Sequence, residues 1–83
     1  MKKHTKTYLK FFGYGDQDKI LCEHCNRVAV DIHHIKFKSR GGGDKIDNLI
    51  ALCRKCHDMA HNNELDEGDL LYIHRTKMTN FTR

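Results

Sequence analysis

The chain has 83 residues, 39% of them hydrophobic and 31% charged, no Trp, and a formal net charge of +4. At this length a single domain over residues 1–83 buries only about 60 to 65% of its unfolded surface, so the core alone is marginal and a disulfide or metal staple is expected. No apolar run approaches the roughly 20 residues that cross a bilayer, and MKKHTKTYLK at the start lacks the apolar stretch of a signal peptide. A cytoplasmic protein with no membrane partner is expected, in a reducing compartment that keeps its four cysteines free for metal.

The charge is concentrated toward the front: five Lys face two Asp in residues 1–21 and seven Lys or Arg face five acids in residues 22–61, whereas residues 62–83 are net acidic. That distribution suits a polyanionic partner and equally suits a solvated surface. In chain order, Tyr8, Leu9, Phe11 and Phe12 fall on one helical face and Gly13-Tyr14-Gly15 breaks the segment, which predicts a helix over residues 3–12. Ile20-Leu21 leads into the tight turn CEHC, and Val28 to His33 alternates as a strand rich in β-branched residues.

Residues 36–47, KFKSRGGGDKID, form a loop, and Asn48 to Leu52 is a second short strand that can pair antiparallel with the first. Cys53 to Asn62 contains no breaker and reads as a helix that Asn62-Asn63 ends. Asp66 is the expected N-cap of a last helix, with Glu67 and Asp69 in its first turn, Leu70, Leu71 and Ile73 as its apolar side, and fraying from Thr76 onward.

The chemistry lies in the cysteines and histidines. Cys22-x-x-Cys25 and Cys53-x-x-Cys56 are spaced so that each pair grips one metal, and four thiolates close a tetrahedral zinc site once the intervening strand, loop and strand fold back as a hairpin. The competing reading is two disulfides or free buried thiols. A closed four-cysteine zinc stabilises a fold without an open coordination position, so catalysis would lie elsewhere.

His57 and His61 are one helical turn apart, a separation at which two imidazoles bind one ion. In a strand, His33 and His34 point to opposite faces. If His33 turns toward the helix and joins the ion, His34 stays metal-free, and its neutral imidazole suits a general base near pH 7. His4, His24 and His74 lack partners in this pattern and read as surface residues.

The order of CEHC, DIHHI and NLIALCRKCHDMAH over residues 22–61 resembles the HNH endonuclease family, in its phage and bacterial subgroup with a four-cysteine zinc. The resemblance implies an α+β fold of the small ββα-metal kind, a zinc-tied β-hairpin and a metal-site helix with flanking N- and C-terminal helices. It implies His33 and His57 as ligands of a catalytic divalent ion, with His61 as a second helix ligand, His34 as general base, and Asn48 as the residue that braces the loop and so fixes the base. Asn48 also fits a plain strand-entry position with an Asx turn.

The glycine loop reads either as solvated chain or as a phosphate contact, with Lys36, Lys38 and Arg40 supplying charge. The expected function is metal-dependent hydrolysis of DNA phosphodiesters, leaving by resemblance 5′-phosphate and 3′-hydroxyl ends. The catalytic ion is left open among Mg²⁺, Mn²⁺, Ni²⁺, Co²⁺ and Zn²⁺. The alternatives are a non-catalytic zinc-stabilised nucleic-acid-binding module and an accessory protein of a phage packaging assembly.

Overall fold

The computed structural model describes residues 2–15, 18–36 and 41–81. Among them, α1 (Lys3–Phe12), β1 (Asp31–His34), β2 (Leu49–Leu52), α2 (Arg54–His61) and α3 (Glu67–Phe81) follow in order, with a 3-10 turn at Ile46–Asn48 leading into β2. The fold is α+β: a two-stranded antiparallel hairpin with three helices packed around it. No helix among the described residues is long and apolar enough to cross a membrane.

The first helix ends because Gly13 takes a left-handed conformation, φ +72°, from which the Gly13 and Tyr14 N–H groups cap the carbonyls of Lys10 and Leu9. Tyr8 and Phe12, one turn apart, are its buried face and pack with Ile32, Leu49 and Ala51. On the other side of the sheet Ile50 and Leu52 join Cys22, Cys53, Cys56, Ile35, Leu65 and Leu70. Because residues alternate along a strand and both faces are covered, all four residues of β2 are buried.

The first strand is shorter than its β-branched run predicts, and begins at Asp31. Val28 and Ala29 pair backward with Leu21 and Ile20 to close a small knuckle around CEHC, and within this run only Val30 onward bonds to β2. Asn26 turns the knuckle at φ +66°, and its N–H bonds the Cys22 carbonyl at 3.0 Å. The second strand starts one residue late, because Asn48 ends the 3-10 turn instead of opening the strand. The predicted helix after β2 loses one residue at each end: Cys53 is its N-cap, the sulfur accepting the Cys56 N–H, and Asn62 its C-cap.

The last helix does not fray at Thr76. It runs to Phe81, whose ring packs 5.0 Å from Phe12 and 6.0 Å from Phe11, so contact with α1 supplies what local propensity lacks. At its start Asp66 Oδ1 accepts the Asp69 N–H and Asp69 Oδ2 accepts the Asp66 N–H, a reciprocal cap of two acids on the positive helix end.

His74 also departs from the surface position expected of it: it is fully buried at the centre of a polar network. Its Nδ1 lies 2.8 Å from Glu23 Oε1 and its Nε2 2.6 Å from the Ile46 carbonyl, while Glu23 Oε2 accepts the Tyr8 hydroxyl and the Ala51 N–H. Both ring nitrogens therefore face acceptors, and the ring links the Glu23 carboxylate to the Ile46 carbonyl. The network ties α1, the knuckle, the turn before β2 and α3 together, and leaves no buried side-chain N or O unsatisfied among the described residues.

Candidate functional site

The hairpin register fixes where the histidines go. His33 pairs with Ile50 and His34 with Leu49, so the two imidazoles leave β1 on opposite faces. His33 meets α2, its ring 5.4 Å from His57 and 5.7 Å from His61, and the two helix rings are 4.5 Å apart. One potential ligand atom from each of the three lies within 4.8 Å of the others. Asp31, on the same face of β1, puts Oδ2 3.4 Å from His57 Nε2.

Burial first, then the neighbouring His57 and His61, hold His33 well below the ordinary imidazole range, at about 4. At neutral pH this ring is uncharged and keeps one nitrogen lone pair, the form that binds a metal. Three converging imidazoles fit a divalent transition ion, and the exposure of His61 leaves one side of the cluster open to solvent.

On the other face, His34 Nε2 lies 2.7 Å from Asp44 Oδ1. With the carboxylate as acceptor, Nε2–H is the donor and Nδ1 is left as the ring's other hydrogen-bonding atom. No spacing in the chain marks Asp44, which follows three glycines in a charged loop. Asn48 holds that loop in place: Oδ1 accepts the Lys36 N–H at 2.8 Å, and Nδ2 donates to the carbonyls of Lys36 at 3.0 Å and Gly43 at 2.9 Å. These bonds brace the loop from Lys36 to Gly43.

The cysteines gather as their spacing predicts. All four Sγ atoms lie within 4.8 Å of one another, with Cys25 3.4 Å from Cys53 and 3.8 Å from Cys56, and none is in a disulfide. A tetrahedron with zinc–sulfur bonds of about 2.3 Å has edges of about 3.8 Å, so this donor set fits zinc. The Cys56 N–H pulls the Cys53 thiol down to about 7 at the start of α2, while burial pushes Cys56 up, a cost that a dication offsets.

Two histidines assigned to the surface have partners here. His24 puts Nδ1 3.3 Å from Cys56 Sγ, beside the cysteine cluster. His4, in the first turn of α1, lies against His34 with ring centroids 4.5 Å apart, and desolvation and His34 lower its affinity for a proton. Neither contact has a spacing signature, because each joins segments distant in sequence. Of the expected phosphate contacts, Lys38 and Arg40 lie outside the described residues. Lys36 lines a shallow depression with Gly43, Asn48 and, from α3, Arg75, and two acids, Asp47 and Glu67, line it as well.

This arrangement has a counterpart in known sequences: residues 22–63 match the HNH endonuclease family. The chain belongs to that family. The HNH match takes in both CxxC pairs, the two strands and α2, and leaves α1 and α3 outside. The chain is also 31% identical over 74 residues to the type IV methyl-directed restriction enzyme EcoKMcrA of Escherichia coli (strain K12). That match covers 75% of this chain and 27% of the restriction enzyme, so this HNH chain spans about a quarter of its relative's length. No solved structure matches the chain.

Proposed function

We propose that the protein is a metal-dependent DNA endonuclease in which His34 is the general base and His33, His57 and His61 hold the catalytic divalent ion. The observation that carries this reading is a three-imidazole cluster on one face of β1 and, on the other, a histidine whose Nε2 is engaged by a carboxylate. A binding module needs no such second histidine. A divalent ion in the cluster would supply electrostatic stabilisation to the charge that builds on the phosphate oxygens and the leaving 3′ oxygen.

The chain's own residues do the rest. Asp44 keeps the His34 proton on Nε2, so Nδ1 takes the proton of the attacking water as the new P–O bond forms. Asp44 also stabilises the imidazolium that results, and Asn48 limits the drift of the loop that carries Asp44. Lys36 and Arg75 would neutralise phosphates next to the scissile bond, and Lys38 and Arg40 add positive charge to the segment that follows Lys36 in the sequence. The four cysteines hold a structural zinc that makes the hairpin rigid enough to keep these groups in register.

The test is incubation of the zinc-loaded protein with supercoiled plasmid and Mg²⁺, Mn²⁺, Co²⁺ or Ni²⁺, with and without EDTA. Nicked or linear DNA that depends on the added ion and disappears in His57→Ala supports the reading. DNA binding without cleavage under every ion would leave a zinc-stabilised binding module in its place.

A further inference from the structure

We propose that His4, His34 and Asp44 form a second transition-metal site, separate from the His33, His57 and His61 cluster, and that an ion bound there disables His34 as a base. The site stands on geometry alone; its effect on cleavage rests on the nuclease reading above.

One potential ligand atom from each of the three residues lies within 4.8 Å of the other two. His34 Nε2 and Asp44 Oδ1 are 2.7 Å apart, close to the separation of two adjacent ligands on one ion, roughly 3 Å for bonds of about 2.1 Å. The ring of His4 closes the third side, its centroid 4.5 Å from that of His34 and tilted by 54°. The side chains of His34 and Asp44 keep 18% and 21% of their exposure, so they are held by packing yet open to an entering ion.

Three separate segments supply the donors: the first turn of α1, the end of β1 and the loop before the 3-10 turn. His4 lies outside the residues that match the family, so the family pattern assigns it nothing. Two imidazoles and one carboxylate, with water completing the coordination, suit Ni²⁺, Co²⁺ or Zn²⁺ far better than Mg²⁺. Alternation along β1 keeps the two sites on opposite faces of the strand, so each can fill without sharing a ligand.

The consequence for His34 follows from its two nitrogens. An ion that takes Nε2 displaces the proton now shared with Asp44, and that proton goes to solvent. The ring stays neutral by taking a proton from solvent at Nδ1, so no net proton is released but the lone pair that would accept the water proton is gone. Low concentrations of Ni²⁺, Co²⁺ or Zn²⁺ would then activate the enzyme through the first cluster, and higher concentrations would inhibit it through the second.

The experiment uses the full, zinc-loaded chain and nickel as the probe. Equilibrium dialysis should find about two Ni²⁺ per wild-type chain beyond the zinc, and about one in His4→Phe, which keeps the ring contact and removes the nitrogens. Asp44→Asn should lose the same ion, and His57→Ala the other. One Ni²⁺ in the wild type, or two retained in both His4→Phe and Asp44→Asn, overturns the site.

In parallel, plasmid cleavage should rise and then fall with Ni²⁺, by roughly tenfold once nine-tenths of the second sites are filled. Measured against its own maximum, His4→Phe should hold a plateau. A wild-type rate that also holds its plateau while two Ni²⁺ are bound overturns the inhibitory effect. If the wild type cleaves at no nickel concentration, the nuclease reading fails and the dialysis counts still decide the site.

Discussion

Replacing Asn48 with alanine separates a catalytic bracing role from a merely structural one. The side chain makes three hydrogen bonds, one from the Lys36 N–H and two to the carbonyls of Lys36 and Gly43, all near solvent. Freed groups at the surface rebond to water, so the loss should sit at the low end of the usual range, about 0.5 to 0.7 kcal/mol each and about 2 kcal/mol together. An 83-residue domain has roughly 4 to 12 kcal/mol of stability, so even the weakest case keeps about 2 kcal/mol and about 97% of molecules folded.

Unfolding therefore accounts for almost none of any loss in rate. If the side chain fixes the loop that carries Asp44, cleavage by Asn48→Ala should fall by about 100-fold, since a general base displaced by about 1 Å loses most of its effect. Urea unfolding followed by circular dichroism gives the stability change, and single-turnover plasmid nicking gives the rate. A rate loss no larger than the unfolded fraction would refute the bracing role and leave Asn48 as a turn residue.

Other perturbations have equally definite outcomes. Purified protein should contain about one tightly held zinc per chain, and Cys53→Ser or a strong chelator should unfold it; a sharp melt at full helicity in a metal-free sample would contradict this. His74→Ala should cost about 3 kcal/mol, because it takes the imidazole from the buried Glu23 carboxylate and leaves only the Tyr8 hydroxyl and the Ala51 N–H, and a urea midpoint equal to that of the wild type would refute the network's weight. His33 sits at about 4 against 6.5 for the free ring. Without added divalent ion, the unfolded chain takes up a proton that the folded chain refuses across that window, so stability present above pH 6.5 is lost as the pH falls toward 4. The acid slope of the wild type should exceed that of His33→Gln, and equal slopes would rule the effect out. DNA affinity should fall with salt by a slope of about −0.9 per phosphate neutralised, and Lys36→Ala should reduce that slope by about one, whatever the DNA sequence.

The sequence was legible where the signal is local. The Tyr8 and Phe12 spacing and Gly13 set α1 at the residues read from the pattern, and the two CxxC pairs and the His57/His61 turn carry their geometry in their spacing. It was illegible where partners are distant. Glu23 and His74 are 51 residues apart, and neither a buried acid nor a buried imidazole announces itself when the hydrophobic period alone is read. Val28 and Ala29 have the composition of a strand but spend their hydrogen bonds on the knuckle, because closing the cysteine pair requires a turn there. Asp44 and His4 meet at His34 only after the hairpin and α1 have packed, so no spacing in the chain could have joined them.

The division of labour between adjacent histidines is the central claim, and metal rescue tests it most directly. Plasmid cleavage should be followed at increasing Mn²⁺, an ion that imidazoles bind weakly enough to make ligand loss visible. His33→Ala should cleave slowly and recover part of its rate as Mn²⁺ rises, because it has lost a ligand. His34→Ala should bind Mn²⁺ and DNA as the wild type does, yet stay slower by about 100-fold or more at every concentration. If excess Mn²⁺ restores His34→Ala as fully as His33→Ala, both residues are ligands and the assignment of His34 as the base is wrong.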